Sequence, residues 1–522
     1  MVLILQALAL VALALAALVV ALRLLFPLPS VAGRPESAAI PASERTTLGA
    51  ALLPAAAARP GLSGVRPLAD GLEAFAARVL LARRAEASID AQYYIWQDDA
   101  TGRLLLDELR QAAERGVRVR LLLDDNGIKG LDEELAGLDA LEAVEVRLWN
   151  PFTIRRPKAL GYLFDFPRLN RRMHNKSFTV DGVATVVGGR NVGDVYFAYG
   201  DEAHYVDMDA LAVGPAAAAT AADFDLYWAA ASAYPADRIL RPAPDGLALL
   251  EAAAAEAQAA PDTTPYAEAT LATPLMRAVE AGEEVLEWVP VTLVSDDPAK
   301  GLGREGRDGV LLTRLLDLVG QPRASLDLVS AYFVPGAAGT EALLGLKARG
   351  VAVRVLTNAW EATDVPLVHA GYARWRPELL AGGVELLELR AEAAAPAAEG
   401  IDLTGSGSLG SSTASLHAKT IAFDGARAFI GSFNFDPRSA RLNTELGFLI
   451  DSPRIAGRVT AMMDRVAPGD AYRVEGTPGG AVEWVAGQPD GTVARFAPEP
   501  GTTRLSRLGL GMVSWLPIEW LL

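Results

Sequence analysis

Two short patterns hold residue types that can do chemistry together. His174-Asn175-Lys176 is followed by Asp181 and then by Gly188-Gly189-Arg190-Asn191. His417-Ala418-Lys419 is followed by Asp424 and then by Gly431-Ser432-Phe433-Asn434. Histidine, lysine, aspartate, glycine and asparagine keep identical spacing in the two copies, which lie 243 residues apart. With each fixed residue at about 5%, a single match in a chain of this length is roughly a 10⁻⁴ accident, so two matches are not chance. A lone His–Lys pair would read as an ordinary solvated strand edge, and it is the duplication that overturns this. Each copy supplies an imidazole, an ammonium and an amide. Two copies facing each other make a pocket suited to a phosphodiester: lysines and asparagines hold the non-bridging oxygens, one histidine attacks phosphorus, and the other protonates the leaving oxygen.

Strand geometry accounts for the spacing. Residues two apart on a strand share a face, so His174 aligns with Lys176 and His417 with Lys419. Asp181-Gly182 and Asp424-Gly425 read as hairpin turns, with the aspartates as turn residues rather than catalysts. The return strands, Ala184 to Val187 and Ala426 to Ile430, bring Asn191 and Asn434 back beside the His–Lys pairs. Gly188, Gly189 and Gly431 permit close backbone approach. A nucleophilic histidine also needs a carboxylate on its second ring nitrogen. Glu445 and Asp207, each opening an apolar strand, are the candidates, with Asp209 an alternative to Asp207. His204 and His369 lie outside the patterns and are read as structural.

The elements that position these residues repeat as well. Ala87-Ser88-Ile89-Asp90 leads through Gln92 to Trp96 into a helix ending at Gly116, then the apolar strand Val117 to Asp124. Ala324-Ser325-Leu326-Asp327 leads through a helix ending at Gly350 into Val351 to Leu356. Each is a βαβ unit whose apolar strands suit a parallel sheet covered on both faces. The expected fold is therefore α/β: two similar domains, residues 69–238 and 301–470, with a helical connector over 239–300 and a carboxyl-terminal extension over 471–522. The apolar run Leu505 to Leu522, with Trp515 and Trp520, reads as a docked terminal element or an interfacial lip, with burial the favoured reading.

The amino terminus is different material. Val2 to Leu22 is apolar except for Gln6, and a helix of that length spans about 31 Å, enough for a bilayer core. A cleaved signal ending near Ala32 is the rival, but the run is long and lacks a preceding cation, so residues 1–23 are read as an anchor. Arg23 and Arg34 follow it and favour a cytoplasmic body. Residues 24–68, rich in Pro, Ala, Gly and Ser, read as a tether.

Composition excludes several classes. Lys and Arg number 48 against 64 Asp and Glu, a net charge of −16, which opposes a nucleic-acid binder. There is no cysteine, so disulfides and cysteine-ligated metals are excluded, and four histidines argue against a multi-histidine metal site.

The doubled motif resembles that of the phospholipase D superfamily, and the likeness runs from about residue 70 to the carboxyl end. Within it the chain is similar to the bacterial cardiolipin synthases, type C branch, over Gln92 to Trp96, Gly116 to Asn126, Gly188 to Asp194, Ala331 to Pro335, Thr357 to Tyr372 and Gly431 to Glu445. The resemblance implies a pseudo-twofold αββα fold with one active site between the halves, and no metal or organic cofactor. It implies His174 as nucleophile and His417 as general acid, then base; Lys176, Lys419, Asn191, Asn434, Glu445 and Asp207, read above from the residues themselves, complete the expected catalytic site. It also implies an enzyme of the bacterial inner membrane with one amino-terminal span, acting on phosphatidylglycerol, with phosphatidylethanolamine a second candidate.

Between Arg155 and Lys176 lie seven cations and one acid, interleaved with Tyr162, Leu163, Phe164 and Phe166. That composition suggests a docking lip for anionic lipid. Arg171, Arg172, Gly188 and Ser432 are the expected substrate contacts. Transfer of phosphatidyl to another lipid and hydrolysis by water remain alternatives. A nuclease is opposed by the charge and the anchor, and a non-enzymatic scaffold by two intact motifs.

Overall fold

Alternating strands and helices in each half fold onto a sheet of their own. The computed structural model describes residues 2–200, 204–391, 414–466, 469–488, 491–514 and 519–521. Among these, one sheet has nine strands, ordered Glu287–Val289, Ser63–Leu68, Asp209–Val213, Ala184–Gly188, Ser177–Val180, Ser88–Ile95, Arg118–Gly127, Val144–Trp149 and Ala233–Pro235. The other has ten: Val291–Ser295, Leu446–Ile450, Arg427–Gly431, Lys419–Phe423, Ser325–Ser330, Ala352–Asn358, Glu385–Leu389, Ala471–Gly476, Val482–Gly487 and Val493–Phe496. From Asp209–Val213 to Val144–Trp149 the first order matches the second from Leu446–Ile450 to Glu385–Leu389. The expected two-domain α/β repeat is present.

Matching ion pairs and turns pin both copies. Asp90 is paired with Arg120 across parallel strands, and Asp327 with Arg354, each at 2.7 Å. The Asp181 carboxylate accepts the backbone N–H groups of Glu86, Ala87 and Ser88, and Asp424 accepts those of Arg323, Ala324 and Ser325. Both aspartates have positive φ, 53° and 54°, a conformation Asp tolerates in tight turns. Their carboxylates brace the start of the neighbouring strand. In the first helix of the motif, Ala100–Glu114, Asp99 caps the start and Leu105, Leu106, Leu109 and Ala112 are buried. Gly116, at φ 89°, ends it.

An apolar cluster joins the halves, with Val187, Val206, Met208 and Ala210 of the first packed with Leu416, Ala418, Ile430 and Phe448 of the second. The connector holds the helices Gly246–Ala259, Thr263–Leu271 and Pro274–Glu280, then an extended segment with one strand in each sheet.

Three expectations about the ends need correction or refinement. Residues 24–68 are not a free tether. Ser63–Leu68 pairs with Asp209–Val213 inside the first sheet, and Arg120 and Arg147 donate to the carbonyls of Ser37 and Pro35. The alanine- and proline-rich composition hid a strand whose partner lies some 145 residues on. The amino-terminal helix, Val2–Leu25, is long and apolar enough to cross a membrane and is unburied along its span, as fits an anchor. The carboxyl-terminal helix Arg504–Ser514 docks on Pro366–Ala373, yet Leu505 and Leu508 are exposed, contrary to the expected burial. Trp515 lies outside the described residues.

Candidate active site

Each motif histidine sits just before a motif strand, not on it, where the two halves exchange short stretches of parallel backbone pairing. Met173 bridges to Thr444; His174 N–H donates to the Thr444 carbonyl at 2.8 Å and Thr444 N–H to Arg172 at 3.0 Å. In the related position, His204–Val206 pairs with Ala414–Leu416, and His417 N–H donates to the Val206 carbonyl at 2.8 Å. The residue after each bridge is then a carboxylate from the opposite half. Glu445 meets His174, and Asp207 meets His417.

The first pair fixes a tautomer. His174 Nδ1 lies 2.8 and 3.0 Å from the Glu445 carboxylate oxygens and 3.1 Å from the Ser432 carbonyl. All three are acceptors, so Nδ1 carries the proton and Nε2 keeps its lone pair. The Ser432 hydroxyl donates to Glu445 Oε2 at 2.5 Å, and Leu446 N–H donates to Ser432 Oγ at 3.1 Å. In the second pair, His417 Nδ1 is 2.5 Å from Asp207 Oδ2, and Asp207 Oδ1 accepts Met208 N–H at 2.7 Å. The alternative, Asp209, is paired with Arg78 at 2.9 Å instead.

Both lysines are buried and lie against their own histidine. Lys176 Nζ donates to the His174 carbonyl at 2.7 Å; Lys419 Nζ donates to the His417 carbonyl and lies 2.9 Å from His417 Nδ1. Burial, reinforced by the two ammonium groups, holds both imidazoles well below their ordinary pKa, so they are neutral at pH 7. Burial also lowers both lysines, raises Asp207, and pushes Glu445 up to about 7.

The remaining expected residues divide. Asn191 accepts Ile95 N–H and donates to Tyr196 Oη at 2.9 Å, so it orders the wall around His417. Asn434 Oδ1 is buried with no partner among the described residues. Arg172 is not a substrate contact: it is buried, with bonds to Asp124 and to the carbonyls of Trp149, Asn150 and Leu169. Arg171 directs its guanidinium at the carbonyls of Lys300 and Arg441. Gly188 serves packing, since a Cβ there would stand 2.2 Å from Asp209 Oδ1. Ser432 positions Glu445. His369 pairs with Glu499 at 2.7 Å, a structural role, and His204 lies in the short strand beside the cleft.

Sequence reasoning assigned no role to the aromatic walls. Tyr94 stands edge-on to His174 with centroids 5.1 Å apart, and Tyr196 and Tyr205 flank His417 at 5.1 and 5.0 Å. Tyr94 sits in the aromatic run after Asp90, which was the available signal. Asp296 was also missed: it accepts Glu445 N–H at 2.8 Å and pairs with Lys300 at 2.9 Å.

A doubled His–Lys cleft between two like sheets defines an enzyme of the phospholipase D class. Residues 80–228 and 315–467 match the family model described as "Cardiolipin synthase, PLD-like domain". Cardiolipin synthase C of Escherichia coli (strain K12) is 45% identical over 91% of this chain and 99% of its own. A cardiolipin synthase of Staphylococcus aureus (strain N315) is 26% identical over 76% of this chain and 66% of its own. The crystal structure of phosphatidylserine synthase from Haemophilus influenzae Rd KW20 shares the fold, with a TM-score of 0.52 at 17% identity, over 81% of this chain and 91% of that one. The chain belongs to the phospholipase D-like cardiolipin synthase family.

Proposed function

We propose that this chain is a phosphatidyltransferase that makes cardiolipin from phosphatidylglycerol and a second phospholipid through a phosphohistidine. The observation that carries the mechanism is the crossed pairing of two histidines with two buried carboxylates. His174 Nε2, left with its lone pair by the Glu445 contact, attacks phosphorus. As the N–P bond forms, the P–O bond to the donor's headgroup alcohol breaks, and Glu445 balances the charge that develops on the imidazole. Lys176 and Lys419 face the non-bridging oxygens. A phosphodiester anion seated between the lysines offsets their field, so His417 can hold the proton it gives to the departing alkoxide. In the second half the acceptor's hydroxyl gives its proton to neutral His417 while its oxygen displaces His174.

In this reading the acceptor is the glycerol headgroup of phosphatidylglycerol, and phosphatidylglycerol or phosphatidylethanolamine serves as donor. The apolar helix Val2–Leu25 holds the enzyme in the bacterial inner membrane as a single span. Lipid analysis of a synthase-null bacterium expressing the chain tests the reading. New cardiolipin is expected; phosphatidic acid alone would make the enzyme a lipase that uses water.

A further inference from the structure

The segment from Arg155 to Lys176, basic and aromatic in sequence, lacks the free positive charge its composition suggests. Arg155 pairs with Asp125 and Asp132, both at 2.5 Å; Lys158 with Asp125 at 3.0 Å; Arg168 with Asp165 at 2.6 Å; and Arg172 with Asp124 at 2.6 Å. Arg171 is turned to backbone carbonyls, and Lys176 belongs to the catalytic cleft. Arg156 is the cation of this segment left exposed with no ion pair among the described residues.

What the segment does present is apolar. In and just before the helix Tyr162–Leu169, Leu163 is 67% exposed, Leu160 44% and Phe166 40%. The opposite side faces inward, with Phe164 and Leu169 buried. Burying one apolar side while showing another to water is costly unless a further apolar phase covers it.

The structure identifies that phase by continuity. Phe164 stacks on Phe26, one residue past the anchor helix, with centroids 6.3 Å apart, and its carbonyl accepts Arg23 Nε at 2.8 Å. A helix strapped to the end of a membrane span lies at the membrane surface. At its other end, Asn170 accepts from Arg438 through both its side-chain and backbone oxygens, at 3.0 and 2.9 Å. The same guanidinium donates to the Leu521 carbonyl at 3.1 Å, drawing in the turn Glu519–Leu521 with half-exposed Trp520.

We infer that Phe26, the helix Tyr162–Leu169 and the Trp520 turn form one collar that enters the bilayer surface by apolar insertion, not by charge. This rests on the anchor reading given above. An exposed indole beside exposed leucines suits the interface between headgroups and acyl chains. The collar has a catalytic consequence, because His174 follows Asn170 by four residues. Trp520 and Glu519 also line a cavity of about 740 Å³ whose walls include Phe433 and Phe435, the neighbours of Asn434.

The chain has no native cysteine, so single cysteines can carry an environment-sensitive fluorophore in the full-length protein. Leu163→Cys tests the collar, Leu13→Cys the anchor, and Val493→Cys, on the outer edge strand of the second sheet, is the exposed control. Each variant is reconstituted in vesicles of phosphatidylcholine alone or mixed with phosphatidylglycerol, with nitroxide-labelled lipid as quencher. The collar requires blue-shifted emission at position 163 and lipid quenching several-fold above position 493, equal in both vesicle types and unchanged by high salt. Quenching only with phosphatidylglycerol, lost in salt, would mean attachment by charge. A probe shielded from aqueous iodide but untouched by nitroxide lipid would place a protein partner or second copy there. Water exposure equal to position 493 would remove the collar altogether. Any of these three overturns the proposal. If position 13 is also unquenched, the anchor reading fails too; if it is quenched, the failure is the collar's alone. Cardiolipin formation in the same vesicles tests the activity separately.

Discussion

His174 and His417 occupy equivalent positions in two copies of one motif, yet their surroundings differ in a way that bears on their roles. His174 faces the longer Glu445, which grips Nδ1 with both oxygens and is itself held by the Ser432 hydroxyl. His417 faces the shorter Asp207 through one oxygen, and the position equivalent to Ser432 is Gly189. Both lysines donate to the carbonyl of their own histidine, but only Lys419 also stands beside the ring, 2.9 Å from His417 Nδ1. The firmly oriented imidazole suits a nucleophile that must carry positive charge through an intermediate. The one whose ring nitrogen lies beside an ammonium suits a group that gains and loses a proton at each half-reaction. In the proposed mechanism the two similar sets of groups divide the work through these few differences.

The comparison can be broken most severely at the carboxylates. Glu445→Gln preserves shape but removes the charge that balances the His174 imidazolium, and should lower kcat by about ten-thousand-fold, as in comparable triads. Asp207→Asn should be milder on a nitrophenyl phosphodiester, whose leaving group needs no proton, so burst kinetics on that substrate separate the two. The pH profile follows from the same pair. Burial pushes Glu445 up to about 7, and activity needs the Glu445–His174 pair without an added proton. kcat/KM should therefore rise with pH through about 7, and this limb should vanish in Glu445→Gln.

Exchanging the small residues sharpens the contrast. Gly189→Ser would set a Cβ 2.2 Å from Asp207 Oδ1, displacing the carboxylate, and a shift of that kind should reduce kcat by about a hundredfold. Ser432→Gly, the reverse exchange, has room and removes a single charge-assisted hydrogen bond, so a loss of about tenfold is expected. If Gly189→Ser is as active as wild type, the two environments are not distinct. The smallest catalytic effects belong to the turn aspartates. Asp181→Ala and Asp424→Ala should leave kcat nearly unchanged while each lowers stability by about 1–3 kcal/mol, with the buried Asp181 the larger, measured by urea denaturation.

How far the sequence could be read follows from the range of each interaction. The His–Lys–Asp–Gly–Asn spacing is local, so the hairpins, their turn aspartates and the two-domain fold were legible. Glu445 and Asp207 were legible as candidates because each opens an apolar strand. That they cross between halves was not, since the contacts span 271 and 210 residues. The same limit explains the lip. Asp124, Asp125 and Asp132, which neutralise Arg172, Arg155 and Lys158, lie 23 to 48 residues upstream, outside any local count of charge. Ser63–Leu68 was invisible because its neighbour in the sheet is distant and its own composition is that of a linker. Leu505 and Leu508 show the converse, an apolar composition that predicts burial where docking uses only one side of a helix.

The central claim is that His174 takes the phosphatidyl group and His417 moves the protons, and trapping the intermediate tests it most directly. His417→Ala should lose nearly all activity on natural lipid, because the alkoxide cannot leave unprotonated. With a nitrophenyl phosphodiester it should still transfer the phosphoryl group to His174, and the adduct should accumulate because no base activates the acceptor. Rapid quench in alkali followed by peptide mass spectrometry should find the added mass on His174, and none in His174→Ala with either substrate. An adduct on His417 in the His174→Ala enzyme would reverse the roles and contradict the account.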